Sequence, residues 1–166
     1  MINETNTLLS IDNDFEPATA DEGDELFPNG IFLFNITKMI AYIEKHPNEF
    51  APEMVPVEKH RSSFASLDED HIETTDYTKP IILAEIRPGV FNVIDGNHRI
   101  ENAYRSNIEF VPAYVLRPKD HMPFLTSVKA YRSYVEYWNS KLKGFRSFQN
   151  DRRRQRANSL RSYRIT

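Results

Sequence analysis

The five residues Asp95-Gly96-Asn97-His98-Arg99 concentrate more reactive side-chain types than any other stretch of this sequence. They follow the β-rich run Phe91-Asn92-Val93-Ile94 and precede Ile100, Ala103 and Tyr104 at helical spacing, so they read as a tight turn by which a strand enters a helix. Unpaired N–H groups and the positive end of the helix dipole make such a position an anion site. Gly96 lets the backbone approach a ligand, Asn97 can cap or donate, His98 can donate or shuttle a proton, and Arg99 can fork onto phosphate oxygens. A phosphate is the ligand this combination predicts. Asp95 repels a phosphate unless a divalent metal lies between them or the carboxylate acts as a base, so it is read as a metal ligand or catalytic base. The same five residues also fit a plain turn, with a capping Asn, a surface His and a helical Arg paired to a Glu.

The elements that must position this turn are legible around it. Ile81 to Ile86 and Phe91 to Ile94 flank Arg87-Pro88-Gly89-Val90, where Pro88 presets the backbone of a type II turn and Gly89 supplies its positive φ; this predicts a hairpin. Residues 110–116 return as another strand, and Pro112 within it predicts a sheet edge or a strand end. Ile31 to Phe34 reads as a strand or buried lead-in. Asn35 then caps a helix with Ile36, Met39, Ile40 and Ile43 on one face, ended by Pro47. Met54 to Val57 is a further strand, and Leu67 to Ile72 a short helix started by Ser66 or Asp68. Val128, Tyr131, Val135, Trp138 and Leu142 mark an amphipathic helix capped by Thr126 or Ser127 and stopped near Gly144. Tyr131, Tyr134, Tyr137 and Trp138 are read as helix packing, and His46 and His121 as loop histidines.

The 166 residues suit one α+β domain, and the absence of cysteine excludes disulfides, thiolate zinc sites and thiol redox chemistry. No apolar run approaches the roughly 18 residues that span a bilayer, and no signal peptide opens the chain, so a cytoplasmic protein without a membrane partner is expected. The net charge of −3 hides a strong asymmetry. Residues 1–30 sum to −8 with no Lys or Arg, whereas residues 141–166 sum to +8. An acidic flexible arm (1–28), a folded domain (29–143) and a basic tail (144–166) are therefore expected. Arg152, Arg153, Arg154 and Arg156, with Phe145, Phe148 and Tyr163 nearby, are candidate nucleic-acid contacts; the alternatives are a solvated helix, or pairing with the acidic arm of the same or another chain to give a homo-oligomer.

Met54-Val55-Pro56-Val57, Lys79-Pro80-Ile81-Ile82, the stretch from Phe91 to Ala103 and Val111-Pro112-Ala113-Tyr114-Val115 together resemble, in order and spacing, the ParB/sulfiredoxin superfamily over about two-fifths of the chain. The resemblance implies a compact mixed sheet with flanking helices that binds a nucleotide, ATP, ADP or CTP with Mg²⁺, through Gly96, Asn97, His98 and Arg99. Asn97 stands where sulfiredoxins carry their catalytic cysteine, which excludes sulfinic acid reduction. Asp-Gly-His-His-Arg of the family's free serine kinases is similar at all but Asn97. By the same resemblance Glu58 matches an acidic catalytic residue after the first strand, His98 joins Asp95 in catalysis, and Arg61 matches an arginine that helps hold the nucleotide. The expected activity is NTP hydrolysis or phosphoryl transfer. The alternative is a DNA-binding or nuclease-like regulatory module served by the arginine tail. No helix-turn-helix segment of about 50 residues follows the match, so the nucleotide module with a basic tail is expected rather than a whole partitioning protein.

Overall fold

The computed structural model describes residues 7–62 and 67–162, with side chains through Arg153. The hairpin formed by β1 (Leu26–Asn29) and β2 (Phe32–Asn35) leads into α1 (Ile36–Lys45), then β3 (Glu53–Pro56), α2 (Val57–His60), α3 (Glu69–Ile72), β4 (Ile81–Arg87), β5 (Val90–Asp95), α4 (Asn97–Arg105) and β6 (Phe110–Leu116). A short helix α5 (Pro118–His121) and a 3₁₀ turn (Met122–Phe124) precede the 35-residue α6 (Val128–Ser162). The main sheet has the order β3-β6-β4-β5; β6 runs parallel to β4 and antiparallel to β3, and β4 and β5 form the expected hairpin with Gly89 at φ 75°. The molecule is thus α+β with a mixed sheet and flanking helices. No helix among the described residues is long and apolar enough to cross a membrane.

Strand β4 is buried on both faces, which is why its sequence lacks the apolar-polar alternation of a half-exposed strand. Ile82, Ala84 and Ile86 join Phe32, Phe34, Ile36, Met39, Tyr134 and Trp138 in one core, while Ile81 and Leu83 join Val55, Val57, Ile100 and Ala103 in the other. The β1–β2 hairpin, α1 and α6 therefore cover one face of the sheet, and α2 and α4 cover the opposite face. Asn35 caps α1 as expected, accepting from the Lys38 N–H at 3.0 Å, and its amide also donates to Asp24 and to the Thr19 carbonyl.

Several expectations need correction. The acidic arm has no helix or strand from residue 7 to Glu25, and it is seated against the rest of the chain. Leu9 exchanges two hydrogen bonds of 2.8 Å with Asn139, Thr7 accepts from the Trp138 indole, and Phe15 stacks on Tyr131 at 3.9 Å between ring centres. These partners on α6 lie more than 110 residues away, where no local pattern points. Strand pairing also begins earlier than Ile31, since Leu26–Asn29 already pairs with Phe32–Asn35. Gly144 does not stop α6, because a helical glycine costs only about 1 kcal/mol and the residues beyond it include several good helix formers. Pro112 lies in an interior strand, yet the ladder to β4 starts only at Ala113, so its missing N–H falls past that ladder's end. Ser127 caps α6, accepting from the Ala130 N–H, and Asp68 caps α3; Ser66 falls outside the described residues.

His121 is not a loop histidine but a fully buried one. Its Nε2 donates to the Glu85 carbonyl at 3.0 Å, the Tyr134 hydroxyl donates to the same oxygen at 2.6 Å, and its Nδ1 is buried without a hydrogen-bond partner. The Glu85 carboxylate, also fully buried, accepts from Arg117 Nη1 at 3.0 Å and from the Gly89 N–H at 2.7 Å. This cluster ties the β4–β5 turn to the end of β6 and to α6. Burial pushes the His121 pKa down from 6.5 to about 4, so the unfolded chain takes up the proton first and the group's neutral-state stability is lost as pH falls through that window. Wild-type unfolding free energy is expected to drop by about 3 kcal/mol from this group between about pH 7 and pH 4. Denaturant titrations across that range should show the drop missing in His121→Leu; parallel curves would remove His121 as its source.

Candidate functional site

Strand β5 delivers Asp95 to the sheet's end, opposite Ile82 of β4, and Gly96 turns the chain into α4. Gly96 has φ 98°, a left-handed conformation that L side chains rarely adopt. A Cβ there would lie 2.5 Å from Ile81 Cγ2 and 2.9 Å from Arg99 Nη2. The turn is therefore built around the absence of a side chain, with β4 directly beneath it. Because Gly96 is the N-cap, no side chain caps α4, and the Ile100 N–H closes the first helical turn onto the Gly96 carbonyl.

Arg99 folds back over this turn, and its Nη2 donates to Asp95 Oδ2 at 2.5 Å. Both side chains are largely withdrawn from solvent, at 21% and 16% exposure, so the pair is shielded more than a surface ion pair. Arg99 Nε is buried and has no hydrogen-bond partner. A buried donor left unmade costs about 1–3 kcal/mol, and Arg99 Nε is the buried side-chain atom of the turn left in that state among the described residues. Asp76 lies within electrostatic reach of Arg99; its pKa is lowered mainly by hydrogen bonds from Thr78, with Lys79 and Arg99 adding to the shift.

The segment after α2 packs along α4. His98 Nε2 accepts from the Asp68 N–H at 3.0 Å, which places the proton of the neutral ring on Nδ1. Its ring also meets His71 edge to face. Asn102 Nδ2 donates to the Thr75 carbonyl at 2.7 Å. Glu101, nearly fully buried, accepts from Arg61 Nε at 2.7 Å and from Arg105 Nε at 3.0 Å, while Arg105 also holds Glu69. The Arg61 hydrogen bond, followed by that of Arg105, holds the Glu101 carboxyl below the usual range against the opposing effect of burial.

Asp95, Gly96, Asn97, His98 and Arg99 are thus brought together as expected at a strand-to-helix turn. Glu58 is exposed on α2, which packs against both α4 and β5, and it lines a recess of about 490 Å³ with Tyr104, Asn107 and Phe110. Arg61 sits one helical turn beyond Asn97, its guanidinium committed to Glu101 and stacked 3.9 Å over the Tyr104 ring. Arg152 and Arg153 stand exposed on α6, and the side chains of Arg154 and Arg156 lie outside the described ones. Sequence reasoning missed Glu101, although its i,i+4 spacing to Arg105 was a readable signal. It also missed Thr75 and Asp76, which carry no local signature, and the contact of Asp68, read only as a helix start, with His98.

No protein-family model matches the sequence, and no curated protein sequence is significantly similar to it. Gly96→Ala is expected to lower stability by about 2–4 kcal/mol through backbone strain and overpacking against Ile81, whereas Gly144→Ala, in open helical space, should raise it by up to about 1 kcal/mol. Chemical denaturation of both variants checks this, and a Gly96→Ala protein as stable as wild type would contradict the described turn.

Proposed function

We propose that this protein binds a nucleotide through its phosphates at the Asp95–Arg99 turn. The observation that supports this most directly is the buried, unpartnered Nε of Arg99, held over an uncapped helix start whose glycine leaves no room for a side chain. A phosphate seated at the helix start would meet the first-turn N–H groups of α4, with the helix dipole adding to the attraction, and would draw the Arg99 guanidinium outward so that its buried Nε gains a partner. Asp95 then has a definite task. It orients Arg99 in the free protein, and it stays beside the phosphate as the carboxylate available for base or metal-ligand chemistry.

Among the described residues no three His, Asp or Glu side chains gather into a cage for a metal. Mg²⁺ fits this turn as the companion of the nucleotide, held by its phosphates together with Asp95, and in that position it would offset the repulsion between carboxylate and phosphate. His98 is engaged through Nε2 with the Asp68 backbone, so its part in this reading is to hold the α3 segment against the turn. Arg61 is bonded to Glu101 and Glu58 lines the recess beside Tyr104, so this reading rests on the residues of the turn itself. Hydrolysis or phosphoryl transfer from the bound nucleotide is the activity that this arrangement would serve.

Thermal melts with ATP, ADP and CTP, each with and without Mg²⁺, test the reading. One nucleotide at about 100 times its Kd is expected to add about 2.7 kcal/mol and raise Tm by roughly 5–10 °C, and Arg99→Ala should abolish the rise. Phosphate release by wild type should be lost in Asp95→Asn with binding retained. A rise that survives Arg99→Ala, or none with any nucleotide, overturns the proposal.

A further inference from the structure

Helix α6 has two halves with different fates. From Val128 to Leu142 it presses Tyr131, Tyr134, Val135, Trp138 and Leu142 into the core, and from Lys143 to Arg153 every residue is exposed. The backbone nevertheless stays helical to Ser162, so residues 143–162 extend over roughly 30 Å. A free helix of about 20 residues is marginal in water, but this one needs no nucleation of its own because the packed half supplies it. Continued outward, the stripe that met the core carries Phe145 and Phe148, both exposed, and the Arg152 guanidinium lies 5.0 Å over the Phe148 ring. Lys143, Arg146, Arg152, Arg153, Arg154, Arg156 and Arg161 oppose only Asp151 in this segment, giving it a charge of +6.

The acidic arm of the same chain is held away from this surface. Thr7 sits at Trp138, Leu9 at Asn139, Asp12 at Tyr131 and Ala18 at Leu125, so the arm runs back along the packed half of α6 toward its N-terminus. Tyr131, where Asp12 is tied, and Arg152 are about 30 Å apart along the helix axis. Asp21 and Asp24 are already paired with Lys38, and Asp24 accepts from Asn35 as well.

We infer that the projecting half of α6 is a binding surface for the phosphate backbone of double-stranded DNA. Duplex DNA carries one negative charge per about 1.7 Å of axis, so a rod of roughly 30 Å spans close to one helical turn of it, and an α-helix fits a major groove about 12 Å wide. Arginine dominates over lysine in the segment, which suits planar two-point contacts to phosphate oxygens. A second copy's acidic arm fits less well, because its carboxylates are bunched near the start of α6 and two of them are committed. The surface is independent of the Asp95–Arg99 turn, since α6 covers the sheet face opposite to α4.

Fluorescence anisotropy of a labelled duplex of roughly 20 base pairs, titrated with the full chain at about 50 and about 200 mM salt, tests this. Wild type is expected to bind at low salt and to weaken steeply at high salt. The R152Q/R153Q/R154Q/R156Q variant should keep the wild-type Tm, bind at least about tenfold more weakly at low salt, and show a log–log salt slope smaller by about 3–4 units. Absent binding by wild type, equal binding by the variant, or tighter binding of a single strand of the same length overturns the inference. So does salt-reversible self-association in sedimentation, lost in the variant and without duplex binding, which would assign the helix to the acidic arm of another copy.

Discussion

Burial of β4 on both faces is the constraint from which the rest of the molecule follows. A strand with Ile81 and Leu83 toward one side and Ile82, Ala84 and Ile86 toward the other requires two apolar layers, and the chain supplies them from different regions. Helix α4, arriving through the hairpin and leaving into β6, closes one side. Helices α1 and α6 and the β1–β2 hairpin close the other. Each fully buried Ile, Leu or Phe in these layers contributes about 1.5–3 kcal/mol, which holds two cores to one sheet. Glu85 is the exception in this strand, and its carboxylate is retained by converting desolvation into two specific attachments, to Gly89 and to Arg117.

The same strand shapes the turn. Ile81 stands beneath Gly96 so closely that any side chain would collide with it, and the left-handed glycine aims the start of α4 over the sheet's end. Asp95 and Arg99, four residues apart, then meet across that turn, leaving Arg99 Nε buried and unsatisfied. Farther along α4 the pattern reverses. Glu101 collects Arg61 and Arg105, and Arg105 reaches Glu69, so the charges there satisfy one another and bind the preceding segment to the helix. One end of α4 holds an unmet donor while its middle is neutralised, and that contrast separates the candidate site from the supporting ion pairs.

Helix α6 joins two physical regimes in one element. Its first half is held by aromatic packing and by the returning N-terminal arm, whose backbone is bonded to Tyr131 and Asn139 and accepts from Trp138. Its second half inherits helicity from the first and has a net charge of +6 over residues 143–162, with Arg152 and Arg153 exposed. Among the described residues, the acidic arm is tied to the packed half of that helix, away from Arg152 and Arg153.

Local patterns made much of this legible. The hairpin with Gly89, the Asn35 cap, the core face of α6 and the clustering of Asp95 to Arg99 all follow from signals carried within a few residues, because turn dihedrals, caps and helical periodicity are local properties. Tertiary structure alone decided what those residues meet. It buried His121 and Glu85 together, seated the acidic arm on α6, set Arg61 against Glu101, and set Glu58 in a recess beside Tyr104. It also left Arg99 Nε without a partner. These outcomes depend on pairs separated by tens of residues or more and on the desolvation each pair meets in a packed core. The sequence thus determined the elements and the reactive residues of the turn, and the packing of the sheet between its two layers determined which charges were satisfied and which were left open.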